Sequence, residues 1–198
     1  MLLLCAFASD LHLPECGHAR RAVDCALAID AFARDFEARL NSEGIAFGAT
    51  RIGVNTGFAI IGNFGGRLFF DYTAHGDAIN VAARLESVNK QLGTRICVSE
   101  TTAAEIENFR GRPVGELVLK GKEAALMAYE PLSEDAFKSP QTAAYVAAYR
   151  KLAEGEAISA RQAFASFIGE YGDDPLALFH LRRVLSGQAS SRIELSEK

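Results

Sequence analysis

The chain has 198 residues, 49% of them hydrophobic and 23% charged, with 21 basic against 25 acidic side chains and a formal charge of −4. This is the composition of an ordinary globular chain of one domain, or of one domain with an appendage, and 17 glycines and 5 prolines exclude collagen-like and proline-rich disordered classes. A mildly acidic balance without a basic run argues against an electrostatic nucleic-acid binder, and the longest apolar stretch, residues 1–8, falls short of the ~20 residues that cross a bilayer.

Residues 1–8 lack the basic flank of a signal peptide and read as a buried strand. A polar loop follows to Gly17. His12, Cys16 and His18 lie close together around it, but Pro14 and Gly17 favour a plain loop, and no metal site is assigned. The four cysteines (Cys5, Cys16, Cys25, Cys97) show no CxxC spacing and read as buried free thiols. From His18 a helix is predicted, because Val23, Ala26, Leu27, Ile29, Phe32, Phe36 and Leu40 recur at 3–4 spacing; residues 41–44 stop it.

A strand at 51–55 turns through Thr56-Gly57 into an apolar run at 58–61, which predicts an antiparallel hairpin. Residues 62–66 form a glycine-rich loop that is neither a P-loop nor a dinucleotide fingerprint. A loop over 67–76 leads to a helix over 77–91, with Asp77 as its cap and Val81, Leu85, Val88 and Leu92 as its apolar stripe. Asn80 and Arg84 are one turn apart on a flanking face of that helix. A strand at 95–98, a short helix opened by Thr102-x-x-Glu105, and two strands at 116–120 and 125–130 complete the first part. Residues 133–140 read as a linker. Helices are predicted at 142–154, 159–171 and 175–185, with a loose tetratricopeptide-like spacing, and 188–198 as a frayed tail.

By spacing alone, Asn80 and Arg84 are a polar pair on an amphipathic helix. The surrounding residues say more. Arg51-Ile-Gly-Val-Asn-Thr-Gly57, then Ile61-Gly-Asn-Phe-Gly65, then Phe70-Asp-Tyr-Thr-Ala-His-Gly-Asp-Ala-Ile-Asn-Val-Ala-Ala-Arg-Leu85, together resemble the class III nucleotidyl cyclases, and most closely their bacterial adenylate cyclases. Leu119-Lys-Gly-Lys122 resembles the closing hairpin of that family, and Pro14-Glu-Cys-Gly-His-Ala19 its helix entry, so the likeness runs over about residues 1–131.

The resemblance implies an α+β, ferredoxin-like cyclase domain over 1–132 that lacks its first strands, a linker at 133–140, a helical appendage at 141–187 and a tail at 188–198. It implies conversion of ATP to 3′,5′-cyclic AMP and pyrophosphate at a dimer interface: the ribose 3′ oxygen attacks the α-phosphorus and pyrophosphate leaves. Arg84 is implied to meet charge developing on the α-phosphoryl oxygens and Asn80 to orient the ribose. Thr73, with the backbone at Ala74, is implied to read the purine edge. Lys120 is implied to bind the triphosphate, and Arg51 is a candidate second phosphate ligand. Asp71 and His75 receive no role.

The family's two divalent ions (Mg²⁺ or Mn²⁺) are held by two aspartates. By this alignment both would lie upstream of Met1, Asp10 falls too late to replace the second, and no residue here is assigned as a metal ligand. The expectation is therefore a truncated chain, inactive alone, that complements an intact cyclase chain as a heterodimer or pairs as a homodimer. The parent would be cytoplasmic, with any membrane anchor upstream. Two other readings stand beside this one: a non-catalytic dimerisation or regulatory half-cyclase, and an interaction protein built around the C-terminal helices.

Overall fold

Short runs of apolar residues alternating across a strand build the central sheet. The structure is a computed structural model that describes residues 2–5, 17–66, 69–119 and 124–194. In chain order the elements are β1 (Leu2–Cys5), α1 (His18–Ser42), β2 (Arg51–Val54), β3 (Ile60–Gly66), β4 (Phe69–His75), α2 (Asp77–Leu92), β5 (Ile96–Ser99), α3 (Glu100–Ala104), β6 (Gly111–Val118), β7 (Leu126–Pro131), α4 (Glu134–Phe137), α5 (Pro140–Ala153), α6 (Ala157–Tyr171), α7 (Pro175–Leu185) and β8 (Arg192–Glu194). The fold is mixed α+β. Among the described residues, six strands form one sheet in the order β1-β2-β5-β7-β6-β8, and β3 and β4 form a separate two-stranded ribbon.

Alternation along β2 and β5 sends side chains to two cores. Ile52, Val54, Ile96 and Val98 pack under α1 against Ala19, Ala22, Val23 and Ala26. Cys97 points the other way, into a core with Val81, Leu85 and Leu92 of α2 and Tyr145, Phe164 and Leu176 of α5–α7. The three C-terminal helices thus share one core with the sheet and α2. Gly53 lies on the α2 side, where a Cβ would come within 2.0 Å of the Ala82 carbonyl oxygen. Only glycine admits a helix this close, and the contact fixes how α2 lies on β2.

Several expectations are corrected. The run at 58–61 does not return along β2 as a hairpin. Instead β3 leaves the sheet and pairs antiparallel with β4, from Ile60↔His75 to Gly66↔Phe69. The stretches read as a glycine-rich loop and a long connecting loop are therefore strands, because their backbone pairing outweighs the weak strand preference of glycine. The cap of α2 is Gly76, and Asp77 is its first helical residue. The cap of α3 is Ser99, whose hydroxyl accepts from the Thr102 amide at 3.3 Å, so the capping signal lies three residues earlier than Thr102. Residues 134–137 of the expected linker form a helical turn, and where a frayed end was expected Arg192–Glu194 pair parallel with β6. In α1 the predicted stripe is buried in part: Val23 and Ala26 are in the core and Leu27 and Ile29 pack against it, whereas Phe32 is 70% exposed and Ala19, Ala22 and Ala33 are buried. Cys97 is a buried free thiol and Cys25 a half-buried one; the side chains of Cys5 and Cys16 lie outside the described residues.

Candidate functional site

The α2 helix begins directly after β4, so Thr73-Ala74 and Asn80-Arg84 are joined by a short rigid connection. Thr73 pairs with Gly62 and Ala74 with Ile61 in the ribbon, and both are half-buried. At its start α2 is tied to the end of β2, where the Asn55 side-chain amide donates to the Ala78 carbonyl at 3.1 Å. Nearer its end the buried Asn89 donates to the Ile52 carbonyl at 3.0 Å. These two bonds, with the Gly53 contact between them, hold α2 antiparallel to β2.

That docking decides where the polar pair points. Asn80 and Arg84 flank Ala82 by two residues on each side, so at 100° per residue both lie about 160° around the helix from the face resting on Gly53. Asn80 is exposed and Arg84 half-buried, and Asp77, Ser87 and Gln91 continue the exposed stripe. Among the described residues neither Asn80 nor Arg84 has a side-chain hydrogen bond or ion pair. The amide and guanidinium donors suit a bound anion or hydroxyl group.

A cavity of about 500 Å³ lies at the N-terminal end of α2. Its walls come from the end of β2 (Asn55, Thr56, Gly57), the base of the ribbon (Phe58, Ile60, His75), the start of α2 (Asp77, Ala78, Val81) and the β6–β7 side (Leu119, Leu126). Each predicted segment borders it. His75 and Gly76 follow Thr73-Ala74, Val81 follows Asn80, and Leu119 precedes Lys120. Lys120 itself lies outside the described residues. Asn80, Arg84 and Thr73 do not line the cavity.

Arg51 stands apart. It opens β2 opposite Leu2, three residues and ~10 Å of strand from the β2 end that borders the cavity. Among the described residues no hydrogen bond or ion pair links it to Asn80 or Arg84. The cavity's apolar walls and His75, which meets the Phe64 ring at 4.1 Å between centroids, were not singled out from the sequence. Phe58 and Ile60 carried a strand signal only, with nothing in their spacing to say what they would face.

The resemblance implies two divalent ions, and the described residues do not fit them. No three His, Cys, Asp or Glu side chains converge among them, so no chemical step is assigned to a metal here. Among the described residues no helix is long and apolar enough to cross a membrane.

Comparison with known proteins places these features in a family. The sequence model of the "Adenylate and Guanylate cyclase catalytic domain" matches residues 5–130. The chain is similar to Adenylate cyclase 1 of Rhizobium meliloti (strain 1021), 38% identical over 114 residues, which are 57% of this chain and 17% of that protein. It is also similar to the adenylate cyclase of Anabaena cylindrica, 32% identical over 119 residues, 54% of this chain and 24% of that protein. The chain thus spans less than a quarter of the length of either relative. Among solved structures, the adenylyl cyclase CyaB from P. aeruginosa aligns with a TM-score of 0.56 at 26% identity, over 66% of this chain and 67% of that one.

Proposed function

The chain belongs to the adenylate and guanylate cyclase catalytic-domain family, and from that footing we propose that it contributes one half of a nucleotide site that converts ATP to 3′,5′-cyclic AMP and pyrophosphate. The observation that carries this reading is the α2 stripe. An amide and a guanidinium, one turn apart and without side-chain partners among the described residues, stand on the helix whose first turn walls a cavity of about 500 Å³, just after the β4 end that carries Thr73 and Ala74.

In this reading Asn80 hydrogen-bonds the ribose and holds its 3′ oxygen in line with the α-phosphorus. The new O3′–Pα bond forms as the Pα–O bond to pyrophosphate breaks, and the 3′ hydroxyl proton leaves to solvent. Arg84 meets the charge that builds on the α-phosphoryl oxygens; a fixed guanidinium stabilises that charge more in the transition state than in bound ATP. Thr73 and the Ala74 backbone contact the purine edge. Lys120 and Arg51 bind phosphate oxygens. The divalent ions would be held by carboxylates of an intact cyclase chain across a heterodimeric interface.

The test is a cyclic AMP assay with Mn²⁺ and ATP, on this chain alone and mixed with an intact cyclase chain, with Arg84→Ala as the control. Product in the mixture that falls about 100-fold or more on Arg84→Ala supports the reading. Product indifferent to Arg84→Ala overturns it. A second reading, a non-catalytic regulatory half-cyclase, is favoured by the lack of a converging acidic cluster among the described residues. It predicts a heterodimer that sediments the same with and without ATP and yields no Arg84-dependent product.

A further inference from the structure

Two adjacent residues at the start of α7 touch both of the elements that flank the cavity. Asp174 caps α7, its Oδ1 accepting from the Ala177 amide at 2.9 Å. Its Oδ2 accepts from Arg112 Nη1 at 2.6 Å, and Arg112 Nε donates to Glu130 at 2.6 Å across the β6–β7 ladder. The same guanidinium lies 4.6 Å from the centre of the Tyr145 ring on α5. One nearly buried cation therefore holds β6, β7, α5 and α7. The next residue, Pro175, packs on Gly93, the left-handed cap of α2, so closely that a Cβ at Gly93 would come within 2.5 Å of the proline ring. Two further ties reach β6. The Tyr145 hydroxyl donates to the Pro113 carbonyl at 2.8 Å where the ladder bulges, and β8 adds along its other edge.

A buried ion network contributes little net stability over a well-packed apolar cluster of the same volume, because desolvation offsets the attraction. What short, charge-assisted hydrogen bonds do supply is a narrow geometry. Here that geometry relates α2, which carries Asn80 and Arg84, to β6, whose end lies two residues before Lys120 in sequence. Gly93 is nine residues past Arg84, about 14 Å along a rigid helix. A shift of about 1 Å at that cap moves the pair by a distance that matters for catalysis.

We propose that the C-terminal segment, residues 140–194, is a brace for the nucleotide site, and that Asp174 and Pro175 are its positioning residues, setting the spacing of α2 against β6. This assignment rests on the nucleotide-site reading above for its function, while the brace itself is a separate structural claim.

Hydrogen–deuterium exchange on the full chain tests it, comparing wild type, Asp174→Asn and Pro175→Ala, with binding of fluorescent MANT-ATP measured on the same samples. The Asp174→Asn substitution keeps an acceptor for the Ala177 amide but removes the charge that faces Arg112. The expected result is exchange about tenfold faster at 85–93 and 111–118 as well as in α7, with MANT-ATP affinity about fivefold weaker. Ile168→Ala, a substitution at a half-buried α6 position outside the Arg112 network, should leave exchange at 85–93 and nucleotide affinity unchanged. Acceleration confined to α7, or an equal effect from Ile168→Ala, overturns the brace. A wild-type chain that fails to bind MANT-ATP even when mixed with an intact cyclase chain overturns the nucleotide-site reading instead, and the exchange comparison still decides the brace.

Discussion

At Gly53 one missing side chain sets the position of a whole helix. The Ala82 carbonyl and Glu86 amide of α2 occupy the space a Cβ would fill. Gly53→Ala should therefore push α2 off β2, destabilising the fold by about 3 kcal/mol in urea denaturation and weakening MANT-ATP binding with it. His180 is the opposite case, a polar ring where the core is otherwise apolar. It is fully buried among Tyr145, Tyr149, Phe164 and Phe179, and among the described residues neither ring nitrogen completes a hydrogen bond. Burial, with a smaller push from the nearby Arg183 charge, holds its pKa down at about 3. The folded state then binds fewer protons than the unfolded chain between about pH 3 and 6.5, so stability falls as the solution is acidified through that window. At pH 5 the cost is about 2 kcal/mol. Urea denaturation at pH 7.5 and 5.0 should show His180→Phe losing that much less than wild type on acidification; equal losses would refute it.

At the scale of elements, α1 shows how periodicity can find a helix and place only part of its buried face. The predicted stripe ran from Val23 and Ala26 through Phe32 and Phe36, yet the buried positions beyond Val23 and Ala26 are Ala19, Ala22, Asp30 and Ala33. Small side chains let the helix axis approach the sheet, so the alanines take the contact. The exposed Phe32 stacks at 6.0 Å on the half-buried Phe36, with Phe47 edge-on to Phe36 at 5.2 Å. Phe32→Ser should consequently change unfolding free energy by less than about 1 kcal/mol. Phe164→Ala, which empties a site with no exposure in α6, should cost about 3–5 kcal/mol. The Arg112 network belongs to this scale too. Burial pushes the Glu130 pKa up and Arg112 draws it partly back, so Glu130 depends on a cation that α7 also holds. The site's elements were legible from their motifs. Asn80 and Arg84 share one face of α2, as their spacing requires, although that face is turned away from Gly53 and is not the flank expected, and Thr73 and Ala74 sit just ahead of it. The β3–β4 ribbon was not legible, because glycines at 62, 65 and 66 carry a turn signal that cross-strand pairing overrides.

For the whole molecule, the sheet, α2 and the C-terminal helices bury one another. Leu85, Leu92, Cys97, Val114 and Leu117 share a core with Tyr145, Leu152, Phe164 and Leu176. We propose residues 1–132 as the catalytic unit and 141–187 as its appendage, but the appendage covers apolar surface that the unit would otherwise expose. A chain ending at residue 132 should bind the dye ANS strongly and lose its cooperative thermal transition, whereas a cooperative, dye-silent truncation would show that the unit stands alone.

Local patterns in the sequence were enough for most helices, for the central strands and for the family. Those features depend on side chains near in sequence and on motif residues that chemistry holds at set spacings. Four features were settled by contacts between residues far apart in the chain: the partner of β3, the face α1 buries, the docking of α5–α7 through Arg112, and the pairing of Arg192–Glu194 with β6. In each, a local preference was weak or equivocal, worth a few tenths of a kcal/mol per residue. Burial of apolar surface and satisfaction of buried polar groups across the fold are worth several times more, and they chose the outcome.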